Sequence, residues 1–457
     1  MNIIICGAGT VGYSIAKQLS AQGHSITVID QESKDIKKIN DNLDAKGIVG
    51  KASFPSVLEG AGAKDADMII AVTRNDETNM IICQLAHSLF NVQKKIARIR
   101  SNEFLEGKWS KLYNKSNLPI DVIISPEIEV AKTLYRKLEA PGALDNVPFA
   151  DGLINVIEVS VDKNCPIKNI PLKDCTAKFP DFLANIIAVK RKDKIIFMKK
   201  QDYLIEGDTA YVVVSSAQLN QILKAFGHEE KLASKILIIG GGNIGYNLAM
   251  FLEKGMEGAR VKIIEKDKSR AEKIASDLNS SIVINGDALD EEILKEANIE
   301  EVETVLALTN DDENNIMACV LAEKYSPSKR TIAIVNKSNY SLLQKSLNID
   351  DLVDPRMTTV SKILEQVHKG AIETVYSIFN GEYEFIEAEI LEKSDLVNKT
   401  IKEANLAEHI RIGAVLRDKK VIIPRSSFKF EKKDLVVFLA KRELLNDVES
   451  IFAVSSI

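Results

Sequence analysis

The chain has little of what metal and redox chemistry needs. Five histidines occur in 457 residues, and none falls in HxxxH or HExxH spacing. The five cysteines (Cys6, Cys83, Cys165, Cys175 and Cys319) are odd in number, scattered and never arranged as CxxC. That distribution fits a reducing cytoplasm and argues against a zinc site. Neither sign of charge dominates: 60 Lys and Arg stand against 65 Asp and Glu, a net charge of −5. Without a broad cationic field, no nucleic-acid partner is expected. No apolar run approaches the roughly 20 residues that span a bilayer, and the chain opens directly on a strand pattern. Membrane association is therefore expected through a protein partner or a surface contact.

The composition that remains is ordinary for a globular protein, 45% hydrophobic and 27% charged, in a chain long enough for three or four domains. Its organisation is a repeat. MNIIICGAGTVGYSIAKQL is echoed, 233 residues after its first glycine, by SKILIIGGGNIGYNLAMFL. Each stretch is an apolar strand, a turn with glycines at its positions 1, 3 and 6, and a helical pattern expected from residue 13 in the first copy. Strand HSITVID then ends in Asp30, followed by a polar helix, strands at KGIVGKAS and DMIIAVT, a helix over 77–90 and strand IARIR. Alternating helices with continuously apolar strands predict a parallel sheet buried on both faces. At an offset of 236, AVTRNDETN lies over ALTNDDENN, GIVGKAS over VINGDAL, and Cys83 over Cys319. Two smaller segments, rich in short β-branched runs, match at an offset of 226, with IAVKRKDKII over GAVLRDKKVI and Asp208 over Asp434. So many matches at nearly constant spacing indicate duplication. The expected fold class is α/β: doubly wound Rossmann-like domains at 1–140 and 234–370, each followed by a small α+β domain at 151–228 and 380–457.

The glycine turns carry a specific chemistry. Gly7 permits the strand-to-helix bend, Gly9 lets a phosphate approach the backbone, and Gly12 lets helix and strand pack closely; Gly240, Gly242 and Gly245 repeat the set. Thr10 and Val11, or Asn243 and Ile244, open the helix, whose free N–H groups and dipole suit a pyrophosphate. Asp30 follows Gly9 by 21 residues and Glu265 follows Gly242 by 23. A carboxylate there accepts ribose hydroxyls and repels a 2′-phosphate, which favours NAD(H) or an adenine nucleotide over NADP; the alternative is a solvated acid ending a strand. Gly50-Lys51-Ala52 and Gly286-Asp287-Ala288 are expected beside an adenine, or else simply make a strand–helix turn. Thr73, Arg74 and Asp76, with Thr309 in the second copy, lie beyond a strand end where such sheets bind ligands, although Asp76 or Thr78 would also serve as a helix cap. Arg98 and Arg100 could grip a phosphate in a fork or form surface ion pairs. The second copy has Ile334 and Asn336 instead, which gives the first copy the richer phosphate chemistry.

Catalytic residues are scarce. A dehydrogenase needs a proton-transferring group opposite the nicotinamide. His24 falls at the wrong edge of the sheet, His87 sits in a helix, and Cys165 reads as a small buried residue. No catalytic residue is assigned; a duplicated NAD-dependent oxidoreductase acting on a small metabolite remains the alternative.

GAGTVG, the Asp30 strand end, AGAKDADMIIAVTRNDETNM with Cys83, IARIR, and the tandem order together resemble the RCK/KTN family of potassium-transport regulators over the whole chain. The resemblance implies a cytoplasmic, non-catalytic regulatory subunit, peripheral on the inner face of the membrane through a potassium channel or transporter subunit. It implies a homo-oligomeric ring, expected as a tetramer, whose Rossmann-like domains bind NAD(H), ATP or ADP and thereby gate potassium entry. By motif match Gly7, Gly9, Gly12 and Asp30 would form the first nucleotide site, with Gly50, Ala52, Thr73 and Arg100 as further contacts. Gly240, Gly242, Gly245, Glu265 and Asp287 would correspond in the second. Three departures stand out: the second copy lacks both arginines, LVNKTIKEANL replaces CPIKNIPLKDC, and Thr10 and Asn243 stand where some members carry an arginine.

Overall fold

The computed structural model describes residues 1–105, 107–178, 184–192, 194–229, 232–325, 330–344, 346–367, 372–379, 382–407, 409–444 and 451–452. Six short strands open the chain: β1 (Asn2–Cys6), β2 (Ser25–Asp30), β3 (Lys46–Val49), β4 (Met68–Ala71), β5 (Lys94–Arg98) and β6 (Val122–Ile124). They form a parallel sheet in the order β3-β2-β1-β4-β5-β6. Every residue of β4 is buried, as are Ile3 to Cys6 of β1, because helices cover both faces. The strand order reverses between β1 and β4, which opens a crevice at their carboxyl ends.

Five antiparallel strands follow: β7 (Asp145–Phe149), β8 (Ile154–Ser160), β9 (Ala184–Arg191), β10 (Lys194–Phe197) and β11 (Thr209–Ser215), ordered β10-β9-β11-β8-β7. The parallel sheet then recurs as β12 (Lys235–Ile239), β13 (Arg260–Glu265), β14 (Ile282–Asn285), β15 (Thr304–Ala307), β16 (Arg330–Ile334) and β17 (Asp351–Val353), ordered β14-β13-β12-β15-β16-β17. The last antiparallel sheet holds β18 (Ile372–Ile378), β19 (Tyr383–Glu389), β20 (Ile410–Arg417), β21 (Lys420–Ile422) and β22 (Leu435–Lys441), ordered β18-β19-β22-β20-β21. Each small sheet thus takes in one strand, β7 or β18, that begins before the expected starts at 151 and 380. The alternating doubly wound and small mixed architecture is the one expected.

Like packs with like. Met1–Tyr135 and Ala233–Gln366 form one compact unit, and Arg136–Leu232 with Val367–Ile457 form the other. In the first unit the copies exchange their last helices. Helix Pro355–Glu365 of the second copy lies against helix Thr10–Ala21 of the first. Reciprocally, Tyr135 of helix Pro126–Glu139 meets Phe251 of helix Asn243–Gly255, with ring centroids 6.3 Å apart. Gly255 is required there, since a Cβ on it would lie 2.2 Å from the Tyr135 hydroxyl.

In the second unit the two small sheets share a core that joins Phe149, Ile187 and Val213 to Phe385, Val437 and Leu439. Both small domains carry the same internal clamp. Arg191 donates two 2.8 Å bonds to the buried Asp208, and Arg417 donates two 2.7 Å bonds to the buried Asp434. A forked guanidinium on a carboxylate satisfies both oxygens at once, which makes burial of the acid tolerable.

Candidate functional site

The first glycine turn is built tightly at its ends and left open in the middle. Gly7 has φ +115°, a region side chains rarely adopt, and its N–H donates to Ile29 O at 2.8 Å. A Cβ on Gly12 would fall 1.8 Å from Gly7 O, whereas one on Gly9 would meet nothing within 4 Å. The second turn repeats this: φ +101° at Gly240, a 2.1 Å clash at Gly245, and open space at Gly242. The first helix begins at Thr10, with Gly9 as its cap, so Thr10, Val11 and Gly12 form its first turn instead of preceding it. No side chain caps either helix, so their first N–H groups face the open position.

The two strand-end acids hold the turns from below. Asp30 accepts from Ala8 N at 2.6 Å and Glu32 N at 2.9 Å; Glu265 accepts from Gly241 N at 2.7 Å and Asp267 N at 2.8 Å. One backbone bond per oxygen leaves acceptor capacity on each carboxylate for a diol. In the second copy, Gly242, Glu265, Gly286, Asp287, Ala288 and Thr309 line one cavity of about 480 Å³. Asp287 there pairs with Lys266 at 2.8 Å. Lys51, its counterpart, is exposed and lies 5.7 Å from the centre of the Phe54 ring, while Ala52 is buried. Packing explains the third-strand glycines: a Cβ on Gly50 would lie 2.9 Å from Val57 Cγ1, and one on Gly286 2.5 Å from Ile293 Cδ1.

The loop after β4 is organised by residues whose roles the sequence did not reveal. Neither Asp76 nor Thr78 caps the following helix. Asn75 does, accepting from Thr78 N at 2.7 Å. Asp76 turns instead to the chain leaving β5 and accepts from Arg100 N and Ser101 N, both at 2.9 Å. Asp312 does the same for Asn336 N and Lys337 N. Asn79, fully buried, accepts from Thr73 N and Thr73 Oγ1 and donates to Arg98 O; Asn315 repeats this with Thr309 and Ile334 O. The same bonds at matched positions of the two copies fix the crevice wall. Arg74 is exposed.

The arginines occupy a position that the sequence reading did not anticipate. Arg98 and Arg100 of the first copy line a cavity of about 640 Å³ together with Gly242, Asn243, Ile244, Glu265, Arg270, Thr309 and Arg356 of the second. Val11, Glu127 and Asn336 are also part of its lining. The arginine of β16, Arg330, stands at the strand's amino end, and Ile334 and Asn336 occupy the places of Arg98 and Arg100, which line this shared cavity from the first copy. Arg98 donates to Thr73 O at 2.6 Å, yet its Nε is buried and without a partner. Burial pushes the Arg98 guanidinium below its ordinary value, and Arg100 adds repulsion that Glu127 and Asp76 only oppose. Arg100 Nε donates to Glu127 Oε1 at 2.8 Å, while Glu127 Oε2 is buried and unpartnered. An incoming anion would relieve this crowding of positive charge. Arg270 was missed in the sequence because it stands five residues beyond Glu265; it donates to Gly241 O at 2.8 Å and covers the Tyr246 ring at 5.7 Å. Lys38 covers Tyr13 in the first copy.

All five cysteines are buried and none of them forms a disulfide. Burial pushes Cys83 and Cys319 up to about 12. Among the described residues no group of three or more His, Cys, Asp and Glu side chains could hold a metal ion, and no helix is long and apolar enough to cross a membrane.

The TrkA-N domain family matches residues 3–126 and 236–355, and the TrkA-C domain family matches 156–227 and 385–453. The chain is 42% identical over 455 residues to the Trk system potassium uptake protein TrkA of Azorhizobium caulinodans, covering 100% of this chain and 99% of the relative. It is 35% identical to the protein of the same name from Vibrio alginolyticus, covering 99% and 98%. Among solved structures it resembles the GsuK RCK domain (TM-score 0.60, 18% identity, 99% of this chain and 95% of that one) and the GsuK channel bound to NAD (TM-score 0.61, 18% identity, 99% and 79%). With both domain types matched twice and full-length relatives above 30% identity, the chain belongs to the TrkA family of Trk potassium-uptake proteins.

Proposed function

We propose that this chain is a non-catalytic, nucleotide-sensing regulatory subunit that binds NAD(H) and ATP or ADP and gates a potassium channel or transporter in the membrane. In this reading residues 1–140 and 234–370 are the sensors, and 151–228 and 380–457 are the small domains. The partner is a TrkH/TrkG-type membrane subunit, the chain assembles as a homo-oligomeric ring, expected as a tetramer, and it works at the cytoplasmic face. The observation that carries the reading is the duplicated open turn: Gly9 and Gly242 each face unfilled space beside an acid already held by backbone N–H groups. Family membership and the NAD named in one structural relative support it. The sites proposed are Gly7, Gly9, Gly12 and Asp30 with Thr73, and Gly240, Gly242, Gly245 and Glu265 with Asp287 and Thr309. Arg98 and Arg100 meet phosphates from between the copies. Gating requires that nucleotide bind two states unequally, commonly by about 1–3 kcal/mol.

The test is to purify the chain with its membrane subunit, titrate NADH, ATP and ADP, and follow potassium flux. Binding that changes flux without consuming nucleotide is expected. Steady turnover of nicotinamide, with NADH oxidised by a small carbonyl or NAD+ reduced by a small amine, would overturn the reading in favour of an oxidoreductase.

A further inference from the structure

A cavity of about 410 Å³ in the unit of small domains is lined by Glu158, Lys190 and Tyr211 of the first copy and by Tyr376, Ser377 and Phe379 of the second. Strand register explains its chemistry. Asp145 on β7 stands directly opposite Glu158 on β8, and Glu158 stands opposite Tyr211 on β11. Like charges directly opposite on antiparallel strands are destabilising. The duplicated row in the second copy avoids this conflict. Thr374 faces Glu387 and Glu387 faces Val437, so that row has one carboxylate where the first has two. Glu387 also accepts a hydrogen bond from Ala150 N of the first copy, which compensates its charge.

The two acids of the first copy are not equally placed. Asp145 accepts from the Tyr376 hydroxyl of the second copy at 2.7 Å. Glu158 faces the cavity. Strand β7 is the outermost strand of its sheet and holds the second copy through Asp145–Tyr376, with a second contact, Ala150–Glu387, in the turn just beyond its end. Repulsion between the carboxylates therefore acts on the strand that joins the copies.

We propose that Glu158 is a proton-binding site at the seam between the two small domains, and that protonation of its carboxyl tightens the seam by ending its repulsion with Asp145. The groups facing Glu158 are Asp145 on β7, Lys137 on the helix before it, Lys190 on β9, Tyr211 on β11 and Tyr376 on β18. Burial, then Asp145, pushes Glu158 up to about 7, and the two lysines and Tyr211 only partly oppose this. Because the folded value is raised, the stabilisation is fully present below the ordinary carboxylate range and is lost as pH rises to about 7. Each pH unit within that window changes the folding equilibrium by up to about tenfold.

The experiment follows thermal unfolding of the full chain from pH 5 to 8.5, together with the infrared band of protonated carboxyl groups. The wild type should lose stability toward pH 7 and lose a carboxyl band over the same range. Glu158→Gln should flatten the profile in that window and remove the band. Parallel profiles with an unchanged band would overturn the proposal. Should Glu158→Gln fail to fold, Asp145→Asn gives a second test: removing the neighbouring charge should move the midpoint of the band to lower pH, and an unmoved midpoint would overturn it equally.

Discussion

The cavity between the Rossmann copies makes a prediction that ordinary site mutagenesis would miss: arginines in the first copy should serve nucleotide held by the second. Arg100 is the better probe because its side chain is 55% exposed, and its ion pair with Glu127 contributes at most about 1 kcal/mol to stability. Removing it alone would strand the Glu127 carboxylate, whose side chain is only 9% exposed. The informative variant is therefore Arg100→Ala with Glu127→Gln, made in an Asp30→Ala background that disables the first site. A hydrogen bond from a guanidinium to a phosphate is worth about 1.5–3 kcal/mol. ATP should then bind the remaining site about 10- to 150-fold more weakly by isothermal titration. Adenosine, which has no phosphate to lose, should bind unchanged. If ATP affinity in that background is the same with and without Arg100, the arginine does not reach the second copy's ligand and the shared-cavity reading is wrong.

Other outcomes follow from the same structure. Gly12→Val and Gly245→Val should each abolish nucleotide binding at their own copy, since a Cβ there lies 1.8 or 2.1 Å from a backbone oxygen; titration should report one site lost in each. Asp208→Ala and Asp434→Ala should each destabilise the chain by about 1–3 kcal/mol in denaturant unfolding, because each leaves a forked arginine and a backbone N–H without their acceptor. Glu253 is raised by burial, but the Ser281 hydroxyl and the N–H groups of Asn279, Ser280 and Ser281 together outweigh this and hold it at about 2. Its depressed value gives stability present above the ordinary carboxylate range and lost as pH falls toward 2. Glu253→Gln should therefore reduce the acid dependence of unfolding in that range and leave it unchanged near pH 7.

Much of this architecture is legible in the sequence because it rests on local rules. An apolar run, a glycine turn and an acid at the next strand end lie within about thirty residues, and the structure assembles them as read around Gly7 and Asp30. Duplication was equally plain, since nearly constant spacing needs no fold to be seen. What escaped reading depends on contacts distant in sequence. Asp76 looks like a helix cap until the chain at Arg100 and Ser101 is brought beside it, 24 and 25 residues away. Arg191 and Asp208 both stood in the matched segments, but only strand register makes them a pair. The direction of Arg98 and Arg100 could not be read at all, because it depends on which copy packs against which.

The exchange of terminal helices between the Rossmann copies has a consequence for how such a chain can vary. Two separate polypeptides swapping helices would associate only above some concentration, and every substitution would appear on both sides of the contact. Here the exchanging partners are covalently joined, so their pairing is an intramolecular event that dilution does not undo. Each side can also mutate alone. Arg98 and Arg100 can face Ile334 and Asn336, and Glu127 can face Arg356, without any requirement that a residue be compatible with itself. Fusion has thus released a symmetric contact from its own symmetry, and the two halves are free to specialise.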